Sequence, residues 1–321
     1  MRILLTGASG FVGAALLPRL LEQGHDVRAL ARDRERVRRA LAYTGAASLD
    51  DVEVSIGDTV SGEGVAASMR DVEVTYYLIH SMEPVADGAG GSLRTSFAAR
   101  ERASADTFAQ AARAAGVERI VYLGGLVPSE GRPSTHLASR YAVERILLDS
   151  VPGSVALRAS VVIGARSRSF RFLVRLVERM PVLALPAWRR YHTQPIDERD
   201  VVEMLAACAG SDAVTGQTLD VGGPDVLCYG EILQRIASLM LLSRPSVGLP
   251  VTATPLSARL AASLTRESPE LIIPLMAGLT GDLLPAEDRV PELLDVELHS
   301  FDSGVEHALY QWERVEPLAA R

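Results

Sequence analysis

Short apolar runs alternate with segments of helical period through the first half of the chain. ILLTG (3–7), DVRALA (26–31), VEVSI (52–56), VTYYLI (74–79), RIVYLG (119–124) and VALRAS (155–160) have the length and residue types of strands. Between them, apolar residues recur at helical spacing near 11–23, 33–43, 63–70, 94–115 and 135–150. Strands separated by helices predict βαβ units on a parallel sheet with right-handed crossovers. RIVYL and VTYYLI are apolar almost throughout, as strands covered on both faces are.

After residue 160 the rhythm loosens. The pattern predicts a helix over 167–179, then the proline-marked segment MPVLALPAWRRYH, and a helix from Glu198. A strand over 217–221 and a helix from about Tyr229 follow. The stretch 243–295 is rich in proline and leucine, with helical pieces at 255–263 and 269–279, and a last helix covers 303–313. The fold class is α/β, a doubly wound parallel sheet with a smaller, mostly helical C-terminal portion. Residues 1–165 form the first unit, to which 192–223 returns; 166–191 and 224–321 form the cover.

Composition narrows the class. The net charge of −7 argues against a nucleic-acid partner, which would want a basic stripe. The longest apolar stretch, 236–262, is broken by Arg244, Pro245, Pro250 and Arg259, so no membrane span is expected. Two cysteines, Cys208 and Cys228, make no disulfide framework and suggest a reducing, cytoplasmic setting. Six histidines without metal-ligand spacing give no metal site. The chain contains no lysine and no asparagine.

Candidate chemistry begins at TGASGFVG. Gly7, Gly10 and Gly13 follow the first strand and open a helix, a G-x-x-G-x-x-G variant of the dinucleotide fingerprint. Glycines permit the tight turn and let backbone approach a pyrophosphate seated on the helix N-terminus. Ala8, Ser9, Phe11 and Val12 complete that loop. At the end of the second strand, Arg32 suits a 2′-phosphate and favours NADP (NADPH); Asp33, one residue on, is the alternative acid for NAD, and Arg32 can instead begin a solvated helix. Asp58 is either an adenine contact or a turn residue.

These residues resemble the atypical and extended short-chain dehydrogenase/reductases, chiefly the NmrA-like and complex I 39-kDa-subunit-like branches. The likeness runs from TGASGFVG through VTYYLIHSM, GVERIVYLGGL, HLASRYAVE and VALRASVVIG to QPIDERDVVEML and GQTLDVGGPDVLCYGEIL, and ends at VPELLDVELHSFDSGVEHAL. The resemblance implies a Rossmann domain that binds NADP, a small substrate domain and an active site between them. It also implies a serine after the fifth strand and a Tyr-x-x-x-Lys pair on the next helix. Here Gly124 and Gly125, His136 and Arg140 stand at those positions; a shifted register would read Tyr141 with Arg145.

His136 and Arg140 lie one turn apart on one helix face. Arg140 can supply a charge and ribose hydrogen bonds but no proton, whereas His136 is of a residue type suited to acid–base work. His136 can equally be a helix-start residue behind a Ser134 or Thr135 cap. His80 and Ser81, after the fourth strand, sit where ligands bind in open α/β sheets, and His80 is a second candidate proton donor. Leu78, Ile79, Ala159 and Val161, at the ends of the fourth and sixth strands, join the expected cofactor contacts. Trp188, Tyr191 and His192 line a substrate pocket or pack the domains together. Two functional expectations result: an NADP-dependent oxidoreductase on a small, apolar molecule, or a non-catalytic NADP(H) sensor or accessory protein.

Overall fold

The computed structural model describes residues 1–45, 52–79, 97–128, 134–249 and 281–318. In chain order, β1 (Arg2–Thr6), α1 (Phe11–Glu22), β2 (Asp26–Ala31), α2 (Arg34–Thr44), β3 (Glu53–Ile56), α3 (Val65–Ser68), β4 (Val74–Tyr77), α4 (Phe97–Ala115), β5 (Arg119–Gly125), α5 (Thr135–Ser150) and β6 (Val155–Ala159) make the first half. Then come β7 (Val162–Ile163), α6 (Arg168–Arg179), β8 (Leu183–Leu185), β9 (His192–Thr193), β10 (Ile196–Asp197), α7 (Glu198–Cys208), β11 (Thr218–Val221), β12 (Leu227–Cys228), α8 (Tyr229–Leu239) and β13 (Ser246–Gly248). Two helices, α9 (Val290–Leu294) and α10 (Phe301–Glu313), close the described chain.

The main sheet has the order β11-β6-β5-β4-β1-β2-β3, and every neighbouring pair is parallel. Strand order therefore reverses between β1 and β4, the switch point at which open α/β sheets bind ligands. Because successive strand side chains face opposite sides, Ile3 and Leu5 pack under α1 and α7 while Leu4 packs toward α4 and α5. A separate core around Phe170, Val174, Ile232, Leu233 and Trp312 joins α6, α8 and α10.

Arg119, at the start of β5, fastens α7 to the sheet. Its guanidinium donates to the carbonyls of Cys208 at 2.7 Å, Ser211 at 3.0 Å and Ala209 at 3.2 Å, and to Thr215 Oγ1 at 2.7 Å. A cation on the last carbonyls of a helix meets both their unfilled acceptors and the negative end of the helix dipole.

Two sequence expectations shift. The helix expected over 63–70 is only Val65–Ser68, because left-handed turns flank it: Gly62 at φ 83° and Gly64 at φ 72° before, Asp71 at φ 58° after. A side chain on Gly64 would put Cβ 2.3 Å from the Ile56 carbonyl. The last helix starts at Phe301, two residues early, since Ser300 accepts from the Ser303 amide and caps it. The helical pieces at 255–263 and 269–279, and the first residues of the helix expected over 94–115, lie outside the described residues.

Candidate functional site

Three glycines shape the loop at the switch point. Gly7 has φ +76°, and a Cβ there would lie 2.7 Å from the Leu78 carbonyl. The Gly10 amide donates to the Gly7 carbonyl at 2.8 Å, closing the turn. A Cβ on Gly13 would lie 2.3 Å from that same carbonyl. Thr6 stitches the floor: Oγ1 donates to the Tyr76 carbonyl at 2.9 Å and accepts from the Leu78 amide at 3.2 Å. Gly10 caps α1 without a side chain, so its first-turn amides carry no side-chain cap. Uncapped amides at a positive helix end, approached by bare backbone, fit a dinucleotide pyrophosphate. Ala8 is buried beneath the loop and Val12 packs on the core. Phe11 lies against Gly164, where a Cβ would meet its ring at 2.6 Å. Ser9 offers its carbonyl to Arg166 Nη2 at 3.1 Å.

On the β2 side of the loop, Arg32 is exposed just past the strand end. Asp33 caps α2, its carboxylate accepting from the Glu35 amide at 2.8 Å. Asp58 accepts from the Val60 amide at 2.7 Å, so this carboxylate shapes the turn after β3.

Arg140 stands on the other side. It is buried, and its Nη2 donates to the Leu123 carbonyl at 2.6 Å and its Nη1 to the Ile79 carbonyl at 3.2 Å. The guanidinium lies 5.0 Å over the Tyr122 ring and 3.9 Å from the Glu101 carboxylate, itself buried. Arg140 thus ties β4 and β5 together at their carboxyl ends. Ser134 caps α5 by accepting from the Leu137 amide at 3.3 Å. His136, in the first turn, is half-buried, with its ring 5.8 Å from Phe97.

At Gly124 a Cβ would press on the Tyr122 ring at 3.0 Å, whereas at Gly125 the nearest atom, Leu137 Cδ2, is 3.5 Å away. Ala159 and Val161 flank the end of β6, where their carbonyls accept from Leu126 at 3.2 Å and Ile196 at 3.0 Å. His80 and Ser81 lie outside the described residues. Of the buried tyrosines, Tyr77 and Tyr122 lie nearest Arg140, and neither replaces the missing catalytic one. Tyr77 bonds Ser104 Oγ at 2.8 Å and burial pushes it up to about 12; Tyr122 donates to the Arg140 carbonyl and is raised further by burial.

Of the linker residues, Trp188 is buried edge-on against Tyr229 at 6.1 Å, a packing role, while His192 is exposed 3.4 Å from Asp282. Glu101 and Arg166 escaped sequence reasoning. Glu101 sits in RERASAD, which reads as a solvated face, and Arg166 meets Ser9 across 157 residues. Among the described residues no group of His, Cys, Asp or Glu is arranged to hold a metal, and no helix is long and apolar enough to cross a membrane.

Comparison with known proteins fits this geometry. A family profile described as NAD(P)H-binding matches residues 7–162, from the first glycine to β7. The mitochondrial "NADH dehydrogenase [ubiquinone] 1 alpha subcomplex subunit 9" of Arabidopsis thaliana is 26% identical over 231 residues, 71% of this chain and 55% of that protein. The chloroplastic "Divinyl chlorophyllide a 8-vinyl-reductase" of Zea mays is 25% identical over 245 residues, 73% of this chain and 59% of that protein. The chain therefore spans little more than half the length of these relatives. A nucleoside-diphosphate-sugar epimerase from Staphylococcus aureus superposes with a TM-score of 0.73 at 16% identity, covering 95% of this chain and 100% of that one. The UDP-glucuronic acid 4-epimerase of Bacillus cereus, solved with NAD, gives 0.70 at 14% identity over 98% and 97%. At such identities these two show the fold alone. Residues 7–162 thus match an NAD(P)H-binding domain, carried on a parallel sheet of Rossmann order, and the chain is similar to the complex I subunit and to the vinyl-reductase.

Proposed function

We propose that the protein is an NADP(H)-dependent oxidoreductase acting on a small, apolar organic substrate. The observation that carries this reading is the glycine cradle at the switch point, with Arg140 held across it by the ends of β4 and β5. Gly7, Gly10 and Gly13 would hold the pyrophosphate on the amides of α1, and Arg140 brings a cation to the nicotinamide side. The preference for NADP is supported at the end of β2. Asp33 is engaged as a helix cap, while Arg32 stands exposed where a 2′-phosphate would sit.

Bound there, the cofactor supplies the hydride. The chain must orient it, exclude water and manage one proton. Arg140 cannot release a proton near neutral pH, so it binds and orients. Gly124 and Gly125 offer no hydroxyl to polarise a carbonyl. The proton falls to a histidine: His136, one turn before Arg140, or His80 beyond β4. The test follows NADPH consumption across carbonyl, enone and imine substrates, with His136→Phe beside the wild type. We expect turnover in one class, and a loss of about a hundredfold or more in His136→Phe with NADPH affinity kept. Unchanged turnover in that variant would remove His136 from the chemistry.

A second reading has its own support. The Arg140 guanidinium already bonds two main-chain carbonyls and faces Glu101, so its strongest interactions serve the fold. That suits a non-catalytic NADP(H) binder, a sensor or accessory protein. No NADPH consumption in any substrate class, with tight NADPH binding, would select it.

A further inference from the structure

Arg166 has no place in the family's cofactor pattern as read from the sequence, yet it reaches the glycine-rich loop. Its Nη2 donates to the Ser9 carbonyl at 3.1 Å and its guanidinium lies 5.3 Å over the Tyr43 ring. Tyr43 belongs to α2, the helix that follows β2, so the guanidinium stands on the β2 side of the loop. In this topology the β2 side receives the adenosine half of a dinucleotide, and the β4–β5 side receives the nicotinamide. Arg166 Nη1 is closed off from solvent and has no hydrogen-bond partner among the described residues. An unfilled buried donor costs about 1–3 kcal/mol, which an arriving acceptor would relieve.

The charge around it points the same way. A cavity of about 420 Å³ opens beside Arg166, lined also by Tyr43, Arg168, Arg171, Trp312 and Glu316. The one acid in that lining, Glu316, is already held by Arg171 at 2.9 Å, by Arg175 and by Trp312 Nε1 at 3.1 Å. The other nearby acid, Glu198, is pushed up to about 8 chiefly by burial and then by Asp197, so near pH 7 it is mostly neutral. Burial likewise lowers the pKa of Arg166, the mark of a cation short of a counter-charge.

We propose that Arg166 and the cavity beside it receive a phosphate monoester on the adenosine ribose of the cofactor, making Arg166 a second specificity residue besides Arg32. The inference rests on the NADP(H) reading and locates it at a residue 134 positions beyond Arg32 in the sequence. A guanidinium fixed by Ser9 and Tyr43, with its Nη1 unpartnered, can meet a phosphate oxygen in a set geometry, which a lone exposed arginine at the end of β2 does not offer.

The experiment is calorimetric titration of the whole protein with 2′,5′-ADP and with 5′-AMP, which differ by that one phosphate. Wild type is compared with Arg166→Ala and Arg166→Gln; the glutamine keeps a donor toward Ser9 and guards against loss of fold. We expect wild type to prefer 2′,5′-ADP, and both variants to lose at least tenfold for it while 5′-AMP changes less than twofold. If wild type binds the two equally, the NADP reading falls and this inference with it. If wild type prefers 2′,5′-ADP and both variants keep the preference, only the Arg166 assignment falls, and the cavity serves a different phosphorylated ligand or none. Equal losses for both nucleotides would make Arg166 a support of the glycine loop and overturn the assignment.

Discussion

Gly13 shows how one missing carbon can set a binding site. It sits in the first turn of α1, and a Cβ there would come within 2.3 Å of the Gly7 carbonyl. That carbonyl is held in the turn, because it accepts from the Gly10 amide at 2.8 Å. Gly13→Ala must therefore push α1 away from the loop, and overpacking of this kind costs roughly 1–3 kcal/mol. The same displacement moves the amides meant for the pyrophosphate. We expect Gly13→Ala to lower stability in urea unfolding by that amount and NADPH affinity by at least tenfold. A variant with wild-type stability and affinity would show that the loop does not depend on this close approach. Arg140 is the contrasting case, a residue whose chemistry was legible but whose partners were not. Its charge follows from the sequence; its bonds to Ile79, Leu123 and Glu101 come from three other elements.

At the scale of elements, Arg119 joins the amino end of β5 to the last turn of α7. Its carbonyl partners on Cys208, Ala209 and Ser211 are far from the candidate site, which lies at the carboxyl ends of the strands. Arg119→Ala should cost roughly 2–4 kcal/mol, since several bonds from a buried charged donor are lost together. NADPH affinity should change less than twofold. A large loss of affinity without loss of stability would mean that α7 couples to the site by another route. β4 and β5 were legible because burial on both faces leaves a nearly unbroken apolar run, as RIVYL shows. The length of α3 was not, because Gly64 looks like an ordinary loop glycine until the Ile56 carbonyl is seen against it. Nor did residues 166–191 disclose how α6 meets α8 and α10, since that core is assembled from segments more than fifty residues apart. The glycine motif is local and could be read; the cluster of Arg166, Tyr43 and Ser9 is made by topology alone.

Across the whole molecule, these parts converge on the start of α7. Asp197 caps that helix, pairs with Arg199 at 2.6 Å, and lies against Gly304 of α10, where a Cβ would be 2.9 Å from its carboxylate. Glu198 turns the other way, onto Gly164 beneath Phe11 of the glycine loop. Burial first, and Asp197 second, raise the Glu198 carboxyl from 4.5 to about 8. Between those values the folded protein keeps a proton that the unfolded chain releases, so stability must fall as pH rises from about 4.5 to 8 and level off above. Asp200, raised in the same sense by burial, adds to the slope, while His25 and His307, both lowered by burial, oppose it near their ordinary range. The Glu198 contribution is therefore isolated by difference. Glu198→Gln keeps the neutral shape and removes the proton, so its unfolding free energy should decline less than that of wild type between pH 5 and 8, by a few kcal/mol. Its advantage should be largest at pH 8, where the wild-type carboxylate is half ionised in a site built for its neutral form. Parallel profiles for the two proteins would mean that water reaches the carboxylate, and that the glycine loop, the sheet and the helical cover do not close over this residue.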